Sequence, residues 1–453
     1  MHRKINTSST KCANMGRLLI EKIKDLIRLL RFFVYRLLPC RTLAFAHEAR
    51  WLSFEQLSDG QNPTFFGYHD KTPFSGDNSR VLAMSVSGDD TRAETECTPI
   101  QLGFFRRADA PTNKPRDGNF GDFLPFAETT TWCWQQGCML QWNPVEPNSQ
   151  VVFNTLVNGR YGSVLFAIDQ QSVVQEYEYP IYSLDSGFQY ATTLNFSRLG
   201  RLRPGYGYAL LPDATAGVAA PEDDGMFLMD LASGGRELIV RLADLAQEVP
   251  QPGAEHYVNH ATFSPDGRYI VFFHLWSLEG DRGRGLRVLC YDIESRTHRI
   301  VEDQKTISHY CWRDSQTILA TNCDAARTWR YTLYNVVSGD VQDLNLPLAQ
   351  DGHPMFHPTN KSLIVTDTYP DRRRDQHLLL ANIDTNEVWE IAALYSPWKY
   401  RGQVRCDLHP RWDRGGDMIV VDEVATKDGR ILTDYHLQRS SLYNDQKTTK
   451  TGR

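Results

Sequence analysis

No stretch of this 453-residue sequence offers the roughly twenty nearly uncharged apolar residues that a membrane-spanning helix needs, and no secretory hydrophobic segment stands near its start. Charge of one sign is also scarce: a formal net charge of −6 gives no reason to expect nucleic acid as a partner. Cysteine is sparse and irregular. The nine thiols (Cys12, Cys40, Cys97, Cys133, Cys138, Cys290, Cys311, Cys323 and Cys406) are odd in number and scattered, which excludes a small disulfide-framed scaffold and fits reduced thiols in a cytoplasmic protein. A phosphate-binding glycine loop, a GxSxG elbow, an HExxH pair and a CxxC pair are all missing. Their absence removes the commonest signatures of nucleotide hydrolysis, serine hydrolases, zinc peptidases and thiol redox.

Helical periodicity is confined to the first fifty residues, which carry eleven Lys or Arg against three Asp or Glu. Within an extension over residues 1–45, the segment 17–38 (RLLIEKIKDLIRLLRFFVYRLL) repeats apolar residues at Leu19, Ile23, Ile27, Leu30, Val34 and Leu37. That spacing predicts an amphipathic helix with a basic face. Lys22, Lys24, Asp25, Arg28, Arg31 and Arg36 interrupt the apolar run, so the helix either lies on an anionic membrane surface, peripheral to the inner face, or packs on protein. Residues 439–453 are polar and read as a disordered tail.

Residues 50–438 read as all-β: short strands separated by Gly, Asn, Asp and Ser turns, with 41% apolar residues in the whole chain to fill a core. A unit recurs seven times: a short strand ending in an aromatic residue, a turn resembling SPDG, and an apolar strand. Its copies lie in FFGYHDKTPFSGDNSRVLAMSV, CMLQWNPVEPNSQVVFN, YPIYSLDSGFQYATTLNF, HATFSPDGRYIVFF, HYCWRDSQTILAT, HPMFHPTNKSLIVT and HPRWDRGGDMIVV. Third and fourth strands follow most copies, as in RVLCYDIESRTHRIV. Four-stranded repeats of this kind predict a seven-bladed β-propeller. The seventh copy is one strand short, and residues 50–57 (RWLSFEQL) are expected to supply its outer strand and close the ring.

Repeats place equivalent residues together in space. His260, His309, His353 and His409 each stand three residues before the aromatic of their copy, at the start of the strand that should line the axis. His69 lies two residues further from its aromatic and is expected to join the same rim. Neutral imidazoles from adjacent blades can hold Mn²⁺ or Zn²⁺ with a position open for substrate. They can equally be a packing feature of the repeat. His274 and His357 are weaker candidates, and Asp367 and Asp422, at strand ends, are candidates to orient imidazoles. The third copy breaks the pattern with Tyr182, Tyr190, Arg198, Arg201, Arg203, Tyr206 and Tyr208 in one stretch, and Arg160 and Tyr161 stand nearby. Arginine forks bind carboxylates and tyrosines pack on sugar rings, a pairing suited to an acidic oligosaccharide or polysaccharide; the other reading is a loop that packs over the channel with its arginines in surface ion pairs.

These blades, the aligned histidines and the Tyr and Arg of the third unit resemble the propeller-fold polysaccharide lyases, oligogalacturonate lyase and more distantly the ulvan lyases. The resemblance spans roughly residues 60–438 and implies β-elimination on a uronate-containing glycan. It implies a divalent metal on His260, His309, His353 and His409, without a clear counterpart for the glutamine that accompanies such a cluster. It further implies Tyr182 and Arg198 as a catalytic pair with His69; Arg160, Tyr161, Arg201 and Arg203 are candidate substrate contacts on their own chemistry. A second histidine expected soon after His69 is missing, where AMSVSGDD stands. The alternative is a non-catalytic propeller, related to TolB-like blades, that binds a glycan or protein partner in a surface-polysaccharide pathway.

Overall fold

The computed structural model describes residues 52–58, 62–107, 122–278, 284–425 and 429–437, with isolated positions between 27 and 48. The repeated pattern folds as seven antiparallel sheets of four strands, the blades of a propeller. Blade one is built from Thr64–Phe65, Arg80–Val86, Ile100–Arg106 and Phe123–Thr129. Blades two and three span residues 141–177 and 183–241, and blade four comprises Ala254–Phe263, Tyr269–Leu278, Arg284–Asp292 and Thr297–Glu302. Blades five and six span residues 306–343 and 355–395.

The turn between the first two strands of each blade explains why so varied a set of residues gives one shape. In blade four Ser264 Oγ accepts the Tyr269 N–H, and in blade three Asp185 accepts the N–H groups of Gly187, Gln189 and Tyr190. Asp413 does the same for Asp417 and Met418 in blade seven. In blade six this task falls to His357, whose Nδ1 accepts the Thr359 and Asn360 N–H groups at 3.2 and 3.0 Å. A side-chain acceptor that satisfies turn amides is the common requirement, and serine, aspartate and histidine all meet it.

Blade seven takes its inner three strands from Arg411–Trp412, Met418–Ala425 and Gly429–Leu437, and its outer strand from Leu52–Gln56. The last pair is antiparallel, with Leu52 opposite Leu437 and Gln56 opposite Thr433. Leu57, Phe65, Phe66, Val420 and Leu432 share one buried cluster across the junction of blades seven and one. Each such side chain stabilises the closure by about 1.5–3 kcal/mol. Beside it, His47–Glu48 adds a short parallel fifth strand to the outer edge of blade six, against Trp389 and Glu390. The basic helix expected over residues 17–38 lies, except for five separated positions, outside the described residues, as does the tail after residue 438. The seven described cysteines are free thiols.

Candidate metal and substrate site on the propeller axis

Strand register shows which residues the repeats make equivalent. The aromatic or apolar residue at the end of each inner strand pairs with the second strand as Phe74–Val81, Trp142–Val151, Leu184–Ala191, Phe263–Ile270, Trp312–Ile318, Phe356–Ile364 and Trp412–Ile419. Three residues before these stand Lys71, Met139, Ile181, His260, His309, His353 and His409. Four consecutive blades therefore present an imidazole at one level of the axis. The backbone is bent to do it: Met139, His260 and His409 have φ of 57°, 52° and 44°, and the pairing slips between Asn259 and Thr262 and between Ile307 and His309. A left-handed non-glycine residue costs on the order of 1–2 kcal/mol, and a bulge re-aims a side chain, so strain is spent on turning these residues inward.

The rings crowd together. His309 and His353 centroids are 3.9 Å apart, and His353 and His409 are 4.4 Å apart. From blade one, Tyr68 stacks on His260 at 4.8 Å and His69 lies 5.3 Å from His353. All five histidines are buried. Burial, together with neighbouring imidazoles and arginines, holds His69, His260, His353 and His409 well below the usual imidazole range, which keeps them neutral.

Their outer hydrogen bonds divide them by role. His353 Nδ1 lies 2.8 Å from Asp367 Oδ1, and His309 Nδ1 lies 3.1 Å from both Asp351 Oδ1 and the Gly352 carbonyl. Carboxylates and carbonyls only accept, so Nδ1 carries the proton and the Nε2 lone pair is left for a ligand. His353 Nε2, His409 Nε2 and Asp407 Oδ1 are buried without a partner among the described residues. His353, His409 and Asp407 also each offer a ligand atom within 4.8 Å of the others. His260 is arranged oppositely. Gln136 Nε2 donates to Tyr182 Oη at 2.7 Å, leaving the phenol proton for His260 Nδ1 at 3.2 Å. The His260 proton then sits on Nε2, which likewise has no partner among the described residues.

Two guanidinium groups flank the cluster through Tyr206. Arg405 donates to Tyr206 Oη at 2.5 Å and to Asp407 Oδ2 at 2.6 Å, and Arg203 lies 4.0 Å above the Tyr206 ring. Of the residues singled out from sequence, Tyr182, Arg203, His69 and the four aligned histidines are thus brought together. Arg198 is placed elsewhere: its donors are spent on the carbonyls of His256, Thr215, Val218 and Ala219 and on Thr215 Oγ1, pinning an inserted loop. Arg201 pairs with Asp213 and Glu255, Arg160 is exposed at a hairpin turn, and Tyr161 accepts the Leu211 N–H while packing edge-on to Tyr208. Asp367 orients an imidazole, whereas Asp422 accepts from Arg411 and from the N–H groups of Phe66 and Gly67. His274 lies off the axis, bonded to His256 and Arg287.

Sequence reasoning missed Tyr68, Lys71, Gln136, Asp351, Arg405 and Asp407. Lys71 was recoverable, since it stands three residues before Phe74, and Asp407 stands two before His409. Gln136 and Tyr68 carry no such signal, because they reach the axis from loops that the repeat does not constrain.

A seven-bladed propeller with an imidazole and carboxylate cluster on its axis is the class of protein defined here. Among solved structures, oligogalacturonate lyase in complex with manganese aligns with a TM-score of 0.63 at 13% identity, covering 88% of this chain and 97% of that one. An oligogalacturonate lyase from Vibrio parahaemolyticus aligns at 0.58 and 11% identity, covering 87% of this chain and 99% of that one. At these identities the likeness is one of fold. No family model matches the chain, and no curated protein sequence does.

Proposed function

We propose that this propeller is a metal-assisted lyase that cleaves a uronate-bearing oligosaccharide by β-elimination. The observation that carries the proposal is the set of unpartnered, inward-facing donors on His353, His409 and Asp407, with His353 and His309 anchored by carboxylates from behind. A buried polar atom without a partner costs about 1–3 kcal/mol, which a ligand would recover. Neutral imidazoles and a carboxylate suit Mn²⁺ or Zn²⁺. Such an ion polarises a uronate carboxylate and acidifies the proton on the adjacent carbon.

The chain's own residues account for the remaining steps. Arg203, stacked on the Tyr206 ring beside the cluster, would add positive charge for the carboxylate in place of Arg198, whose donors are spent; Arg405 holds Asp407 in position. His69 would take the proton from the carbon next to the carboxylate: its Nε2–H faces the Tyr310 carbonyl at 3.3 Å, which leaves the Nδ1 lone pair, unpartnered among the described residues, as the base. His260 would give its Nε2 proton to the departing glycosidic oxygen, and the Tyr182 hydroxyl on Nδ1 would replace it. Tyr182 is fully buried and acts through His260. The test is metal analysis of the purified protein, followed by absorbance of the unsaturated uronate on a panel of acidic glycans with and without chelator. Metal binding and chelator-sensitive product formation are expected. A protein that binds neither Mn²⁺ nor Zn²⁺ and forms no unsaturated product overturns the reading.

A further inference from the structure

A cavity on the axis abuts the histidine layer. It measures about 390 Å³ and runs from His69, His260 and His309 toward the turns that join the first two strands of each blade. Its size falls within the roughly 300–1,000 Å³ typical of small-molecule sites. It shares His69, His260 and His309 with the axial cluster but is not lined by His353, His409 or Asp407, whose candidate ligand atoms have no partner among the described residues.

Its walls are the repeat aromatics themselves: Phe263, Trp312, Phe356 and Trp412, one from each of blades four to seven. Both indole N–H groups are already used, Trp312 on Thr262 Oγ1 and Trp412 on the Met355 carbonyl, each at 3.2 Å. Trp312 is half-buried and presents ring surface of the kind on which the C–H faces of a sugar pack, backed by the buried rings of Phe263, Phe356 and Trp412. The wall's acids are committed elsewhere: Asp70 pairs with Lys71 at 2.9 Å, and Asp413 accepts from Asp417, Met418 and Asn78. Its cations include two that are not neutralised. Lys361 has no ion pair or hydrogen bond among the described residues; it lies 6.0 Å above the Phe356 ring and feels Asp314 at longer range. Arg414 is anchored through Nε to the carbonyls of Phe74 and Ser75, and its terminal nitrogens have no partner among the described residues. Both cations are exposed at the mouth of the cavity.

From this cationic mouth over aromatic walls, we infer that the chamber is a second carbohydrate site, which takes a single carboxylate-bearing sugar with its carboxylate at Lys361 and Arg414. The choice of a uronate rests on the function proposed above; the chamber itself needs no metal. Calorimetric titration of the full chain with galacturonate, in the presence of chelator and with neutral galactose as control, tests it. Saturable binding of galacturonate, weaker binding of galactose, and a Kd raised about tenfold or more in the K361E/R414E double variant are expected, since charge-assisted contacts to the carboxylate are reversed. H409A should leave that affinity unchanged. No saturable heat, equal affinity for galactose, an unchanged Kd in the double variant, or loss of binding in H409A overturns the assignment. Because product formation is measured separately with metal present, failure of the chamber and failure of the lyase reading are distinguishable.

Discussion

Replacing Asp367 by Asn isolates the part of the site that organises the ligands. Asp367 Oδ1 lies 2.8 Å from His353 Nδ1 and 2.8 Å from the His353 amide, and Oδ2 lies 3.2 Å from the His409 amide. One carboxylate therefore fixes the ring of one candidate ligand and the backbone of two. Asparagine keeps one acceptor oxygen but turns an NH₂ group toward an N–H donor, so one of these bonds must fail. Losing a single outer partner of a metal-bound histidine costs about 10–100-fold in affinity, roughly 1.4–2.7 kcal/mol. Because Asp367 reaches two ligands, the upper end applies, and D367N is expected to bind Mn²⁺ about 100-fold more weakly. The fold should tolerate the change, because asparagine matches aspartate in size and keeps one acceptor oxygen for the buried amides. Isothermal titration with Mn²⁺, beside a thermal melt, reads both effects. If the parent binds Mn²⁺ and D367N binds it equally tightly, the carboxylate does not orient the ligands and the reasoning fails.

Three other outcomes follow from the same geometry. Tyr182→Phe removes the hydroxyl between Gln136 and His260 and is expected to lower kcat by about 10²-fold with little change in metal content, which steady-state rates and metal analysis would show; an unchanged kcat removes Tyr182 from the proton path. Arg198→Met leaves the buried His256 carbonyl without its donor and unties the Val218 and Ala219 carbonyls and should cost about 1–3 kcal/mol of stability in urea unfolding, while activity per folded molecule is retained. Asp434, buried with Oδ1 unpartnered among the described residues, has its carboxyl raised by burial from 3.8 to about 8. Between these values the folded state holds a proton that the unfolded chain has released, so this group's contribution to stability falls as pH rises from about 4 to 8, by up to roughly 5 kcal/mol. D434N should therefore gain stability over the parent at pH 8 and little at pH 4, and equal gains at both pH values would contradict this.

The fold was legible because its cause is repetitive. Turn acceptors, terminal aromatics and β-branched second strands recur at fixed offsets, and the shortfall of one strand at the end of the seventh copy pointed to residues 50–57, where Leu52–Gln56 is found. The aligned histidines were legible for the same reason. What escaped detection depends on loops. Arg198 and Arg201 looked like ligand-binding residues because arginine clusters often are, yet an insertion as long as that of blade three needs internal ties, and their guanidinium forks supply them. Gln136 and Arg405 come from connections whose paths no periodicity fixes. His260 shows a finer limit: its place on the axis follows from spacing, but the nitrogen that bears its proton is set by Tyr182 and Gln136, residues from two other parts of the chain.

The closure of blade seven also has a consequence for how the protein is made. Leu52–Gln56 leaves the ribosome early and has no partner until Gly429–Leu437 emerges, and the Leu432 to Ser58 hydrogen bond joins residues 374 apart in sequence. Six blades can assemble during synthesis, but the ring is locked only at the end, so the unpaired early strand and the open first blade are the parts most in need of protection from aggregation on the way. Once locked, the ring keeps His47–Glu48 on the outer edge of blade six, at the periphery of the disc and away from the mouths of the channel.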